Sequence, residues 1–312
     1  MKIIFMGTPD FAKVILQSLY ESEHEVTAVM TQPDKPKGRG YAVQASPVKI
    51  YAEQNGLKVY QPNSLRGADF EELLRELSPD AIIVAAYGKI LPVNVLEFPK
   101  YGCINVHGSI LPKYRGAAPI QRAIMNGETV TGVTIMQMND GIDTGDMLLA
   151  EEVTISADDN FETVHDQLAI AGSKALLETL SLIEKGEITP VKQNDDEATH
   201  APKIEKSECA VDFSADAVTM HNMIRGLSPF PLAYSGLNGK KIKFISSSYN
   251  EKNYDVPNGT VVSLDNGVIT VSCGNGSIEL DSVLPEGKNR MTASDFINGR
   301  KINLGDIFTE AE

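Results

Sequence analysis

The chain has 312 residues, enough to bury a sizeable core in one large domain or two, and its 42% apolar and 22% charged residues describe an ordinary globular protein. A net charge of −14 argues against broad, nonspecific binding to nucleic acid, because affinity for phosphates comes from lysine and arginine; such contacts would have to be local. Three well-separated cysteines, Cys103, Cys209 and Cys273, offer neither a disulfide framework nor a zinc knuckle, the five histidines do not cluster along the chain, and no metal is expected.

The chain opens on "KIIFMGT", an apolar strand pattern, followed by "PDFAKVILQSLYES" with Phe11, Ile15 and Leu19 at helical spacing. This opening lacks the long apolar region and small-residue cleavage site of a signal peptide, and no run approaches the twenty apolar residues of a membrane span, so the cytoplasm is the expected compartment. The turn "GTPDFA" carries one glycine, so the G-x-G-x-x-G dinucleotide fingerprint is missing, and no G-x-x-x-x-G-K-[ST] loop occurs. Both absences disfavour a nicotinamide oxidoreductase or a P-loop enzyme. A second strand, "EVTAVMTQ", leads into "PDKPKGRGYAVQASPVK", a long loop with Lys35, Lys37, Arg39 and Lys49 among glycines and prolines. A charged loop is usually just solvated. In so acidic a chain, one beside the carboxyl end of a parallel strand points to a phosphate-bearing partner. "FEELLREL" and "PDAIIVAAYG" continue the alternation, which predicts a Rossmann-like α/β layer: a parallel sheet with right-handed crossovers and helices on both faces.

The next strand, in "GCINVHGSILPKYRGAAPI", is unusual. Strand side chains alternate faces, so Asn105 and His107 share a face about 6.5 Å apart along the strand, just before a loop with two prolines, a lysine and an arginine. Cys103 lies on the same face but about 13 Å from His107, too far for a cysteine nucleophile activated by that imidazole. Asparagine can donate to a developing oxyanion and histidine can carry a proton near neutrality, the two tools that acyl transfer needs; the bland alternative is a strand-end pair satisfied by the backbone. Downstream, "QMNDGIDTGDMLL" places Asp143 between Gly141 and Gly145, flanked by two strand-like runs. Asp-Gly pairs mostly make turns, so a hairpin or loop is expected; a functional loop would carry the carboxylate to His107 and orient it. Lys113, Arg115 and Arg122 follow the Asn/His strand as a weak basic cluster.

A long helix comes next, with Phe161, Val164, Leu168, Ala171, Ala175, Leu180 and Ile183 in one apolar stripe; His165, beside it, is expected to be solvated. Apolar periodicity then lapses near 186–208, which reads as a linker or extended crossing segment and divides the chain into 1–188, a linker 189–207, and 208–312. The last part opens with the helix "SADAVTMHNMIRG", where Ser214 can cap the start and Gly226 the end, and continues in short strands with glycine-bearing turns, a small OB-like β-barrel pattern. Lys240, Lys241 and Lys243 mark one of its strands as basic. His24, His200 and His221 have no chemical neighbours in sequence.

The segment "INVHGSILPKYRGAAPIQRAIMNGETVTGVTIMQMNDGIDTGD" resembles the core of the folate-dependent formyltransferases. "MKIIFMGTPDFA", "QPDKPKGRG", "SPVK", "AAYGKILP" and "IRGLSPFPLAY" extend the resemblance in order over essentially the whole chain, toward the members that act on charged initiator tRNA. What the resemblance implies is transfer of the formyl group of 10-formyltetrahydrofolate to the α-amine of methionyl initiator tRNA, by a monomer, with Asn105, His107 and Asp143 as the catalytic trio. It further implies a folate pocket from Tyr87, Gly88, Ile90, Ser109, Ile110, Leu111 and Pro112, and tRNA contacts from Lys35, Lys37, Arg39, Lys49, Lys240, Lys241 and Lys243. Tyr41, Ala42, Val43 and Gln44 stand where many relatives have lysines, which weakens the expected tRNA contact there. A formyltransferase of sugar-nucleotide or glycinamide-ribonucleotide amines would need no barrel with a basic strand, and a noncatalytic RNA-binding protein would not depend on Asn105.

Overall fold

The computed structural model describes residues 1–37 and 42–309, in two compact units. The first unit contains Met1–Gly116, Val130–Thr154 and His165–His200; the second contains Ala117–Thr129, Ile155–Val164 and the chain from Ala201 onward. Arg39 and its flanking glycines lie outside the described residues.

The strands of the first unit are β1 (Lys2–Gly7), β2 (Glu25–Met30), β3 (Lys35–Lys37), β4 (Ala42–Gln44), β5 (Val59–Tyr60), β6 (Ala81–Ala85), β7 (Cys103–His107), β8 (Val130–Gln137) and β9 (Met147–Thr154). Seven of them form one sheet in the order β5-β2-β1-β6-β7-β8-β9, and β3 pairs with β4 in a separate antiparallel ribbon. From β5 to β7 every pairing is parallel, as the alternating pattern predicts. The last two strands join antiparallel as a hairpin, so the sheet is mixed. The burial pattern follows: β6 and β7 are buried at every residue, as strands covered on both faces must be, while the edge strand β9 alternates.

The helices are α1 (Asp10–Tyr20), α2 (Pro47–Gln54), α3 (Ala68–Leu77), α4 (Val93–Leu96), α5 (Pro119–Met125), which belongs to the second unit, and α6 (Phe161–Lys185). α1 buries Phe11, Ala12, Ile15, Leu16 and Leu19, the helical stripe read from the sequence. α2 starts at Ser46, whose hydroxyl accepts from the Lys49 amide at 3.1 Å, with Pro47 at the first helical position. α6 lies close over β7: a Cβ on Gly172 would stand 2.9 Å from Val106 Cγ1. Because Val106 faces this helix, alternation leaves Asn105 and His107 on the opposite face. His165, expected to be solvated, instead packs edge-on to Phe11 with ring centroids 5.7 Å apart.

His24 also has neighbours that the sequence hides. The N-terminal ammonium of Met1 lies 3.3 Å from its Nδ1 and 3.1 Å from Glu184 Oε1, in a cluster that also includes Glu23. Burial first, and the ammonium second, hold the His24 pKa below its ordinary 6.5. The folded state therefore favours neutral His24, and this contribution is present above the unfolded pKa of about 6.5 and lost as the pH falls through the folded value. Stability measured by denaturant titration is expected to fall below pH ~6.5, with a shallower slope in His24→Gln; equal slopes would remove His24 from the acid response.

The second unit contains α7 (Ala217–Gly226), β10 (Ala233–Leu237), β11 (Lys240–Asn250), β12 (Val261–Ser263), β13 (Ile269–Ser272), β14 (Ser277–Pro285), β15 (Met291–Thr292) and α8 (Ala293–Asn298). Its antiparallel sheet runs β10-β11-β14-β13-β12, with β15 on β14. Chain near 306–309 closes the curl: Gly236 and Thr309 exchange backbone hydrogen bonds at 2.8 and 2.9 Å on one side, and the Val261 amide donates to the Asp306 carbonyl at 2.8 Å on the other. This is the OB-like barrel that the strand pattern predicts, filled by Phe213, Phe244 and Phe308 in mutual ring contact. The capping expectation for α7 is corrected at both ends. Asp216, not Ser214, is the N-cap, and Gly226 is the last helical residue rather than a left-handed stop. Gly226 is small because α5 crosses there: a Cβ would stand 2.7 Å from Met125 Cγ and 3.2 Å from the Gln121 carbonyl.

Candidate active site

The site is built at the end of β7. Its flanking pairings set the frame: Ile104 faces Gln137 and His107 faces Thr134 on β8. Asn105 is 9% exposed, and its carboxamide makes no side-chain hydrogen bond among the described residues, which leaves its donors free for a ligand. His107 is buried, with Nε2 3.0 Å from the Tyr114 carbonyl and Nδ1 3.7 Å from Asp143 Oδ2. A carbonyl can only accept, so Nε2 carries a proton and donates to Tyr114; Nδ1 is the nitrogen left to face a reacting group. The structure thus places Asn105, His107 and Asp143 together, and it commits one imidazole nitrogen to the backbone.

Asp143 arrives by a long detour. The loop 138–146 leaves β8 beside Ile104, so it must run back by about 10 Å, three residues of strand rise, to bring the carboxylate to His107. Two features hold it there. The Gly116 amide donates to Asp143 Oδ2 at 2.9 Å, and Asp143 itself adopts a left-handed φ of 54°. Gly145 is required by close approach, since a Cβ would stand 1.7 Å from the Gln137 carbonyl oxygen. Asn139 Oδ1 closes the turn by accepting from the Gly141 amide at 3.0 Å and the Thr144 hydroxyl at 2.9 Å. Cys103 is inert, as its distance from His107 implied: burial pushes its thiol up to about 12, and it contacts the Val95 carbonyl.

The loop Ser109–Pro112 is pinned rather than free. Thr134, fully buried on β8, donates its hydroxyl to the Ser109 carbonyl at 2.7 Å and accepts from the Leu111 amide at 3.0 Å, while the Ser109 hydroxyl donates to the Lys113 carbonyl at 2.7 Å. Ile110 packs over Gly132, where a Cβ would stand 2.3 Å from Ile110 Cδ1 and 2.2 Å from the Glu151 carbonyl. Gly132→Ala is therefore expected to destabilise the chain by about 1–3 kcal/mol, through overpacking against backbone that cannot move aside. Urea denaturation checks this; an unchanged midpoint would show that the sheet yields there. Sequence reading missed Thr134, whose single sign was a hydroxyl inside the apolar run "GVTIMQ".

On the neighbouring strand end, Tyr87 and Gly88 follow β6, and the Tyr87 carbonyl accepts from Thr8 Oγ1 and Gln32 Nε2, both at 3.1 Å. The Tyr87 side chain points into the core with Ile4, Met6, Val84, Leu91 and Val95, whereas Ile90 is 81% exposed. Burial pushes the Tyr87 phenol up to about 12, and its hydroxyl finds no partner among the described residues. Because an unsatisfied buried hydroxyl costs about 1–3 kcal/mol, Tyr87→Phe is expected to raise the thermal midpoint. A lowered midpoint, or a weakened affinity for tetrahydrofolate, would instead give the hydroxyl a binding role.

The basic residues are differently disposed. Lys49 donates to Asp34 at 2.6 Å and Gln61 at 2.9 Å, a partly buried pairing that ties the start of α2 to the β2 loop. Lys240 is exposed, Lys241 lies 4.3 Å over the Tyr234 ring and Lys243 donates to the Pro231 carbonyl at 3.1 Å. Lys35 and Lys37 lie on β3. Arg115 and Arg122 are committed within their own units, Arg115 to Gln193 and Asp195, Arg122 to Glu208.

A formyl transferase family model matches residues 1–180, and the formyl transferase C-terminal domain matches residues 203–301. A methionyl-tRNA formyltransferase of Acetivibrio thermocellus is 44% identical over 308 residues, covering 98% of this chain and 99% of that one; one from Jannaschia sp. is 47% identical over 309 residues, covering 98% and 99%. The chain belongs to the methionyl-tRNA formyltransferase family. Solved structures of low sequence identity share the fold. The N-formyltransferase of Helicobacter canadensis in complex with folinic acid and dTDP-3-aminofucose aligns with a TM-score of 0.68 at 20% identity, over 90% of this chain and 98% of that one. The methionyl-tRNA formyltransferase from Clostridium thermocellum aligns at 0.55 and 18% identity, over 90% and 98%. The family matches span both parts of the chain, and no helix among the described residues is long and apolar enough to cross a membrane.

Proposed function

We propose that this chain, in the cytoplasm, moves the formyl group of 10-formyltetrahydrofolate onto the α-amine of methionine esterified to initiator tRNA. The relatives' activity supports the substrates, and the free carboxamide of Asn105 beside His107 and Asp143 carries the chemistry. An α-amine has a pKa of about 7.7–8.0, so much of the nucleophile is neutral at physiological pH and the catalyst has mainly to hold it against the formyl carbon. The new C–N bond forms as the formyl carbon becomes tetrahedral, and Asn105 donates to its oxyanion. His107 presents Nδ1 to the same centre with Nε2 anchored on Tyr114. Asp143, near that Nδ1, orients the imidazole and helps take the proton that the amine loses; the bond from formyl carbon to N10 then breaks as N10 gains a proton, so the reaction is proton-neutral.

The pterin end of the donor fits the two adjoining loops, with Gly88 and exposed Ile90 on one and Ser109, Ile110, Leu111 and Pro112 on the other, and with Tyr87 supporting the first from below. For the tRNA, Lys35, Lys37 and Arg39 on the basic loop meet the acceptor stem, and Lys240, Lys241 and Lys243 follow the backbone. Lys49 serves the loop's base, because contact with phosphate would require it to leave Asp34. Tetrahydrofolate release is measured with methionyl initiator tRNA, methionyl elongator tRNA or a sugar-nucleotide amine as acceptor. Turnover with the charged initiator alone is expected; turnover with the small amine would overturn the tRNA reading, and none with any acceptor would overturn catalysis.

A further inference from the structure

The tripeptide Tyr114–Gly116 touches the site at three points. The Tyr114 carbonyl accepts from His107 Nε2, the Gly116 amide donates to the Asp143 carboxylate, and the Arg115 side chain turns to Gln193, whose Oε1 accepts from Arg115 Nε at 2.9 Å. The Gln193 amide nitrogen then donates to the Asp143 carbonyl at 2.9 Å and to the Gly145 carbonyl at 2.7 Å. Nothing about this amide is ambiguous. The guanidinium has only donors, so the oxygen must face it and the NH2 must face the two carbonyls. Arg115 is itself 6% exposed and is held by Asp195 at 2.7 Å, and the chain beyond is tied back through Thr199, whose hydroxyl accepts from the Tyr114 amide at 2.8 Å and whose carbonyl accepts from the Arg115 amide at 2.9 Å.

The clamp acts where the backbone needs it. Asp143 sits at φ 54°, a left-handed conformation that costs a non-glycine residue about 1 kcal/mol or more and persists only when its surroundings impose it. Two adjacent donors from one side chain fix the carbonyls on either side of Thr144. Without them, the loop can relax and withdraw the carboxylate from His107. We infer that Gln193 is a positioning residue: it sets the separation of Asp143 from His107 by holding the loop backbone, with Arg115 as the arm that aims it. This rests on the catalytic role proposed above for Asp143.

The discriminating variant is Gln193→Glu, which keeps the size of the side chain and strengthens the contact with Arg115 but removes both donors and sets a carboxylate against two carbonyls. Gln193→Met serves as the neutral counterpart, and a thermal melt selects an assay temperature at which both are folded. Formylation of methionyl initiator tRNA is expected to show kcat lowered by about tenfold to a hundredfold in both, the range that follows from a displacement of about 1 Å at the reacting groups, with KM for 10-formyltetrahydrofolate changed less than threefold. In an Asp143→Asn background, adding Gln193→Glu is expected to lower kcat by no more than about twofold, because a positioning residue has nothing further to lose once the group it positions is disabled. The inference is overturned if Gln193→Glu keeps kcat within twofold of the parent, or if its full loss recurs in the Asp143→Asn background. Asp143→Asn retaining the parent kcat is a separate result, which overturns the role of Asp143 instead.

Discussion

Asn105→Ala is expected to lower kcat for formyl transfer by about 10²–10³ while leaving affinity for tetrahydrofolate and thermal stability nearly unchanged. The structural reason is that the carboxamide is buried beside His107 yet spends none of its donors on the described protein. Removing it breaks no internal hydrogen bond, so the fold loses only a few van der Waals contacts. A donor that the protein leaves unpartnered is worth most where negative charge develops, and a tetrahedral oxyanion carries far more charge than the ground-state formyl oxygen. Single-turnover formylation with saturating donor isolates this step. A reduction in kcat below about fivefold would assign the oxyanion to other donors, and a matching loss of stability would make Asn105 a structural residue.

Asp143→Asn is expected to lower kcat by about 10²–10³ with no loss of stability. Asparagine keeps the oxygen that accepts from Gly116 and tolerates left-handed φ better than aspartate does, so the loop geometry survives while its charge does not. What changes is the field at His107 Nδ1, 3.7 Å away in the parent, and the base available for the amine proton. Because the two side chains act as a unit, Asp143→Asn combined with His107→Asn is expected to be little worse than His107→Asn alone. Multiplicative losses in the double variant would mean that the carboxylate and the imidazole work independently. A slow Asp143→Asn enzyme with a collapsed melting point would place the defect in the loop instead.

Local periodicity determined much of this molecule. The helical stripe of Phe11, Ile15 and Leu19, the parallel strands β1, β2, β6 and β7 and the barrel strands around Lys240–Asn250 follow from side-chain direction and burial, which are properties of a few consecutive residues. The shared face of Asn105 and His107 is of the same kind, since two residues in one strand need no knowledge of the rest of the chain. Other features depended on segments far apart in sequence. Asp143 reaches His107 because the hairpin loop doubles back, Gln193 donates to that loop's backbone from 50 residues away, and the Tyr114 carbonyl accepts a hydrogen bond from Nε2, a partner that spacing alone does not reveal. The pairing of Lys49 with Asp34 and Gln61, and the crossing of α5 at Gly226, are likewise set by segments that local pattern does not connect. The difference is physical. Periodic burial is written in neighbouring residues, whereas the partner of a polar group is chosen by whichever distant donor or acceptor the fold brings within about 3 Å, and only the tertiary structure makes that choice.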